Sequence, residues 1–126
     1  MLEIGAAKTT IIATADADQR GVGMMGYGMH FNFVDGLETP LYARAFVIRD
    51  PASDRALAFV NCEICFVTGS IKRGVVERLA AEHPELGLDD ASVMLCAQHT
   101  HSGPGGYSHH ALYNFTIPGH APPCSR

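Results

Sequence analysis

A chain of 126 residues with 47% hydrophobic side chains carries enough apolar material for a core and is sized for one compact domain rather than for disorder. Its formal charge of −4 and pI near 5.9, with Lys and Arg scattered along the chain, leave no basic footprint for nucleic acid. No apolar run approaches the ~18 residues of a membrane span, and "MLEIGAAKTT" lacks the basic-then-apolar layout of a signal peptide, so the chain reads as soluble with no export address.

In chain order, "TTIIATA" predicts a short strand, and "RGVGMMGYGMHFNFVDG" reads as a Gly- and Met-rich loop region with no clear period. Met24 and Met25 of that region suit either the lining of an apolar pocket or buried filler, because Met adapts to irregular gaps. Past Pro40, "LYARAFVIRD" and "RALAFVNCEICFV" predict two strands of a hairpin, since the "DPASD" between them is turn chemistry. Both runs are apolar on both faces, which predicts a sheet covered on two sides.

The period then changes. In "GSIKRGVVERLAAEHPELG", Ile71, Val75 and Leu79 recur at helical spacing, Ser70 is placed to cap the start and Pro84 bars continuation, so a helix is expected over about Ile71 to Glu82. "ASVMLCAQ" follows as a short apolar strand. Strand, helix, strand with short joints is a βαβ unit, which sets the strand ending near Gln98 parallel to the one ending near Val67. The expected fold class is α/β, a mixed sheet combining a β-hairpin with a βαβ unit. Beyond it, "SHHALYN" suggests a short helix capped by Ser108, and "IPGHAPPCSR" reads as irregular.

The chemistry gathers after the last strand. "CAQHTHSGPGGYSHH" holds four of the seven histidines in fifteen residues. His99 and His101 emerge at a carboxyl end, where open α/β sheets bind ligands, and two residues apart on extended chain they face the same way. His-x-His in that setting presents ligands to zinc, although histidines satisfied by backbone hydrogen bonds fit the bare pattern as well. The glycines about Pro104 let the backbone approach a ligand and turn N–H groups toward an anion or a polarised carbonyl. His109 and His110 are adjacent, so at most one looks inward, and each reads as solvated or core.

Two further features are weighed against structural roles. Cys62 and Cys65 form a C-x-x-C, but on a strand residues three apart point to opposite faces, so they read as small buried hydrophobes rather than a redox pair or zinc knuckle. Glu63 lies in an apolar run and needs either a cation, for which Arg44 on the neighbouring strand is placed, or a polar site.

The run "VMLCAQHTHSGPGGYSHHALYN", with "GMMGYG", "ARAFVI" and "GSIKRGVVERL" in the same order upstream, resembles the N-terminal part of the catalytic domain of neutral, non-lysosomal ceramidases. The resemblance runs from about residue 23 to 114 and leaves 115–126 as a divergent tail, so the whole of 1–126 is expected to be an N-terminal fragment of a larger catalytic domain. It implies zinc-dependent hydrolysis of the ceramide amide to sphingosine and a fatty acid. By the same resemblance His99 is a zinc ligand, His101 lies beside the substrate as a catalytic group, and Gly26 of the M-G-Y loop also lies near the substrate. The family's other zinc ligands, a histidine, a glutamate and a tyrosine, and its Gly-Asp-x-Ser-type serine motif fall downstream of this chain's match. The implied partner is ceramide or a similar lipid amide, with membrane contact through that lipid alone and no transmembrane segment. The alternative is a truncated, non-catalytic remnant that binds metal or lipid.

Overall fold

The computed structural model describes residues 1–12, 21–26 and 32–114, excepting the side chains of 111 and 112. Four strands form one sheet in the order β1-β2-β3-β4: β1 is Glu3–Ile12, β2 Leu41–Asp50, β3 Arg55–Cys62 and β4 Val93–Ala97. The pairs β1·β2 and β2·β3 are antiparallel and β3·β4 is parallel, with helix α1, Gly69–Glu82, in the connection between β3 and β4. The mixed sheet built from a hairpin and a βαβ unit is therefore the architecture of the chain.

The hairpin turn owes its form to Asp50. Its carboxylate accepts from Ala52 N–H at 3.1 Å and from the Ser53 hydroxyl at 2.8 Å, an Asx turn that reverses the chain. Asp54 then adopts φ 51° and pairs with Arg49 at 2.7 Å across the turn. The first strand lies earlier than "TTIIATA" suggested: β1 already begins at Glu3, pairing with Arg49, and residues 13–15 lie outside the described region. The long partner strand β2 recruits this weakly patterned segment, which single-strand periodicity does not register.

Register assigns each side chain to a face. Val47, Ala58 and Val93 are cross-strand neighbours on one face, and Val75, Val76 and Leu79 of α1 pack there with Leu88. On the other face the rows Phe46–Phe59–Met94 and Ile4–Ile48–Leu57 run across the strands. These residues are 38% (Phe59) to 72% (Ile4) exposed. The sheet is thus covered on one side only among the described residues, which corrects the expectation of two covered sides. One helix has apolar residues for one face, and no second helix of comparable length is present among those residues.

The helix starts one turn-half earlier than its apolar period implies. Thr68, not Ser70, is the cap: its Oγ1 accepts from Ile71 N–H at 3.2 Å, while the Ser70 hydroxyl bonds the Thr68 hydroxyl at 2.8 Å. Its C-terminus closes with His83 N–H on the Leu79 carbonyl at 2.8 Å, and Pro84 opens a separate 3-10 turn, Pro84–Leu86. Asp89 next gathers the N–H groups of Ala91 and Ser92 and the Ser92 hydroxyl, which fixes the start of β4.

β3 ends at Cys62 rather than running on to Val67. The cause is visible in Glu63, whose N–H still reaches the Tyr42 carbonyl at 2.9 Å while its carboxylate takes the Tyr42 N–H at 2.7 Å. A side chain thus replaces the next backbone partner and ends the ladder, so Cys65 lies beyond the strand.

Candidate metal centre at the end of the parallel strands

The parallel register continues one step past β4, where Gln98 N–H reaches the Cys62 carbonyl at 3.0 Å, and then the chain turns. His99 makes that turn with φ 61°, in the left-handed region that costs a non-glycine residue about 1–2 kcal/mol. In the loop that follows, Ser102 N–H donates to Thr100 Oγ1 at 3.1 Å. As expected, His99 and His101 stand at the carboxyl end of β4. Their rings lie 5.0 Å apart, His99 exposed and His101 half-buried.

The glycine loop is held by the Gly- and Met-rich segment near the N-terminus. Met25 N–H donates to the Gly103 carbonyl at 3.0 Å, Gly105 N–H donates to the Gly23 carbonyl at 2.9 Å, and Met24 bridges Pro104. The N–H of Gly105 is therefore committed to the fold rather than turned toward an anion. Gly106 takes φ +87°, which lets the chain double back to Tyr107. Between these segments Gly26, at φ +88°, faces the His101 ring so closely that a Cβ there would overlap Cε1 and Nδ1. Gly26, His99 and His101, separated by more than seventy positions in sequence, share one site.

Met24 and Met25 divide the two roles open to them. Met25 is 3% exposed and serves as core, whereas Met24 lines an apolar cleft of about 80 Å³ with Ile12, Phe33, Leu37, Leu41 and Pro104. Ser102 and Gly103 also line it. The volume is small against the ~300 Å³ lower end of ligand pockets, enough for a short length of alkyl chain.

Cys65 also reaches this site. Its Sγ and one ring nitrogen from each of His99 and His101 lie within 4.8 Å of one another. The reading of Cys65 as a small strand hydrophobe is thus corrected: it is buried, but off the strand and beside the histidines. Period-2 logic failed because Glu63 ends β3 between the two cysteines. Cys62 stays on β3, buried and reduced. Burial pushes the thiols of both Cys62 and Cys65 up, the former further raised by Cys96.

Tyr107 anchors the segment that carries Cys65. Its hydroxyl accepts from Phe66 N–H at 3.1 Å, and the Phe66 ring lies 5.1 Å from that of Tyr107 and 5.4 Å from that of Tyr113. Burial raises the Tyr107 phenol above its ordinary range, so it remains a neutral hydrogen-bonding group. Ser108 and Asn114 close the loop, Ser108 N–H donating to Asn114 Oδ1 at 2.9 Å. A 3-10 turn, Ala111–Asn114, stands where the short helix was expected, and Ser108 Oγ accepts from His110 N–H at 3.1 Å. His109 and His110 are exposed and outside the donor group.

Glu63 has a structural occupation. Its carboxylate pairs with Arg44 at 2.5 Å and accepts from Tyr42 N–H, so the partner inferred from sequence is the partner found. Desolvation pushes this carboxyl up, but the Arg44 hydrogen bond, the Tyr42 N–H and the charges of Arg44 and Lys8 outweigh it, leaving a net depression below the usual carboxylate range.

The donor set Cys65, His99 and His101 fits zinc, which takes thiolate and imidazole in four-coordinate sites. A parallel strand that ends in paired histidines beside a glycine-rich loop is the kind of carboxyl edge where α/β sheets bind ligands. The family described as neutral/alkaline non-lysosomal ceramidase, N-terminal, matches residues 3–125, and the chain belongs to that family. The neutral ceramidase of Pseudomonas aeruginosa is 44% identical over 98 residues, covering 78% of this chain and 14% of the relative. Two solved structures superpose at 39% identity over 92% of this chain. One, the neutral ceramidase from Pseudomonas aeruginosa, has a TM-score of 0.82; the other, a ceramidase complexed with C2, has 0.81. The chain spans 14% of the Pseudomonas relative's length and 17–18% of the solved chains.

Proposed function

We propose that the protein carrying this segment hydrolyses the amide of ceramide or a similar lipid amide with the help of zinc, and that this chain supplies one edge of the active site. The observation that carries the reading is the convergence of His99, His101 and Gly26 at the carboxyl end of β4 in a member of the ceramidase family. His99 holds the metal. When bound, zinc would polarise the amide carbonyl and bring the pKa of water toward ~7.

The remaining work falls to the protein. Hydrolysis breaks the amide C–N bond, adds hydroxyl to the acyl carbon and returns a proton to the leaving amine. His101 would stand beside the reacting bond, accept the proton of the attacking water and pass it to that nitrogen. Gly26 keeps the space next to His101 free of a side chain, so that substrate and imidazole meet. The cleft beside Met24 receives a short portion of an apolar chain next to the amide. No described helix is long and apolar enough to cross a membrane, and membrane contact is proposed only through the lipid being cleaved.

The test uses the full-length Pseudomonas aeruginosa relative carrying residues 3–125 of this chain. Exchange of His99 for Ala should abolish hydrolysis of a fluorescent ceramide and reduce bound zinc together, because the ion and its charge stabilisation leave with the ligand. Unchanged turnover in that variant removes the assignment.

A further inference from the structure

The His101 imidazole is bounded by two segments far from it in sequence. Gly26 stands against the ring, where a Cβ would overlap it, and the buried Cys65 thiol lies within 4.8 Å of a ring nitrogen of both His101 and His99. Both neighbours are fastened to the loop that follows His101. Met25 N–H on the Gly103 carbonyl and Gly105 N–H on the Gly23 carbonyl, at 3.0 and 2.9 Å, hold the Gly26 segment. The Cys65 segment is held from the far end of the same loop, where the Tyr107 hydroxyl accepts the Phe66 N–H at 3.1 Å.

That bond reaches a stretch with no ladder to support it. β3 ends at Cys62, Glu63 N–H still meets the Tyr42 carbonyl, and the helix cap stands at Thr68, so residues 64–67 cross the end of the sheet as loop. A part-buried N–H in such a loop needs an acceptor, and without one the loop must shift to find another. The Phe66 ring also packs on Tyr107 and Tyr113, at 5.1 and 5.4 Å. Aromatic pairs tolerate centroid separations of about 4.5–7 Å, so ring contact restrains the loop loosely, whereas the hydroxyl fixes its backbone at one point. Beyond Tyr107, the buried Ser108 and Asn114 exchange hydrogen bonds, which keeps the backbone behind the phenol from yielding.

We propose that Tyr107 is a positioning residue for the amide hydrolysis: its hydroxyl locks the loop after β3 to the loop after β4 and thereby fixes the placement of the His101 imidazole. The inference rests on the reading of His101 as the group that carries a proton between water and the leaving nitrogen. Tyr107 acts through that ring rather than on the substrate, as the support that holds a reacting group in its productive geometry.

The experiment uses the full-length protein bearing this segment, with fluorescent ceramide as substrate. Tyr107→Phe keeps the ring and removes one oxygen. It should lower kcat about 10- to 100-fold, the scale of a misplacement of up to about 1 Å, while KM stays within about twofold and the zinc content is unchanged. His101→Ala should lower kcat about 100-fold or more. Adding Tyr107→Phe to it should then change kcat by less than about twofold, because the ring being positioned is gone. A tyrosine that only stabilises the fold would cost the same factor in both backgrounds, and that outcome overturns the proposal, as does a Tyr107→Phe kcat within about twofold of the parent. Turnover unchanged by His101→Ala alone would instead fail the proton-carrying reading. A crystal structure of the Tyr107→Phe protein then decides the placement separately: a displaced His101 ring is expected, and a ring in its parent position overturns the positioning role. For a variant that does not fold, hydrogen exchange of the unsubstituted protein gives the deciding measurement. The Phe66 amide should exchange as slowly as those of β3, and exchange at the rate of an exposed loop overturns the lock.

Discussion

Gly26 and the His101 imidazole occupy space that a single methyl group would make incompatible. The contact is between a loop near the N-terminus and the loop after β4, and Gly26 holds φ +88° besides. Gly26→Ala therefore meets two penalties, a backbone conformation costing about 1–2 kcal/mol and displacement of the ring. In the full-length protein bearing this segment we expect ceramide turnover to fall by ~100-fold, the scale on which a misplacement of about 1 Å acts. Turnover within a factor of two of the parent would show that His101 does not need its present position.

Glu63 ties β3 to β2 through both Arg44 and the Tyr42 N–H. Its carboxyl is depressed in the folded chain, so the charged form is favoured by folding. The sign follows: this stabilisation is present above the unfolded carboxyl value of ~4.3 and is lost as pH falls through it toward the lower folded value. Replacing Glu63 with Gln should cost roughly 1 kcal/mol at neutral pH, discounted for partial exposure, and should flatten the pH dependence of urea midpoints below about pH 5. Parallel profiles for the two proteins would remove Glu63 from the acid response.

Gly74 sits in the interior of α1, and a Cβ there would meet nothing within 4 Å. Gly74→Ala should stabilise the chain by about 0.5–1 kcal/mol, through the smaller entropy lost by the backbone. Thr68→Ala acts in the opposite sense, costing about 1 kcal/mol as the Ile71 N–H loses its cap. Thermal unfolding reads both, and a Tm lowered by Gly74→Ala would mean that the helix is constrained by something other than propensity.

The uncovered sheet face has an immediate consequence. Phe46, Ile48, Leu57, Phe59 and Met94 form a contiguous apolar surface, and the 126-residue chain should self-associate through it. Sedimentation velocity should show weight growing with concentration, and the pair Phe46→Lys and Leu57→Glu should return it toward a monomer. A monomer at every concentration in the parent chain contradicts this.

Expressed alone, the chain should hydrolyse ceramide little or not at all. The candidate donors and a shallow cleft would leave any bound ion without the enclosed, water-excluding pocket that turnover requires. The assay is release of fatty acid from fluorescent ceramide by zinc-loaded monomer, with His99→Ala as the blank. Substantial activity absent from the blank would mean that this chain completes an active site from its own residues.

Local pattern was sufficient wherever a feature is specified by neighbours in sequence. The turn at "DPASD", the helix ahead of Pro84, the parallel strand after it and the arrival of His99 and His101 at that strand's carboxyl end all follow from spacing and residue type, as does the Arg44–Glu63 pair once the hairpin register is drawn. The Gly26–His101 pairing entered by resemblance alone, since no period connects positions that far apart.

The strand boundary at Cys62, the arrival of Cys65 beside the histidines and the one-sided sheet were not legible in the same way. Each depends on where a side chain finds its partner across the sheet. Glu63 ends β3 by taking the Tyr42 N–H, and that capture turns a strand-like C-x-x-C into one cysteine on the ladder and one at the donor group. Likewise β1 forms because β2 offers an edge, and a face stays bare because no other described element reaches it. Periodicity reports how a segment can bury itself, whereas hydrogen-bond competition between distant segments settles where it stops and what it meets.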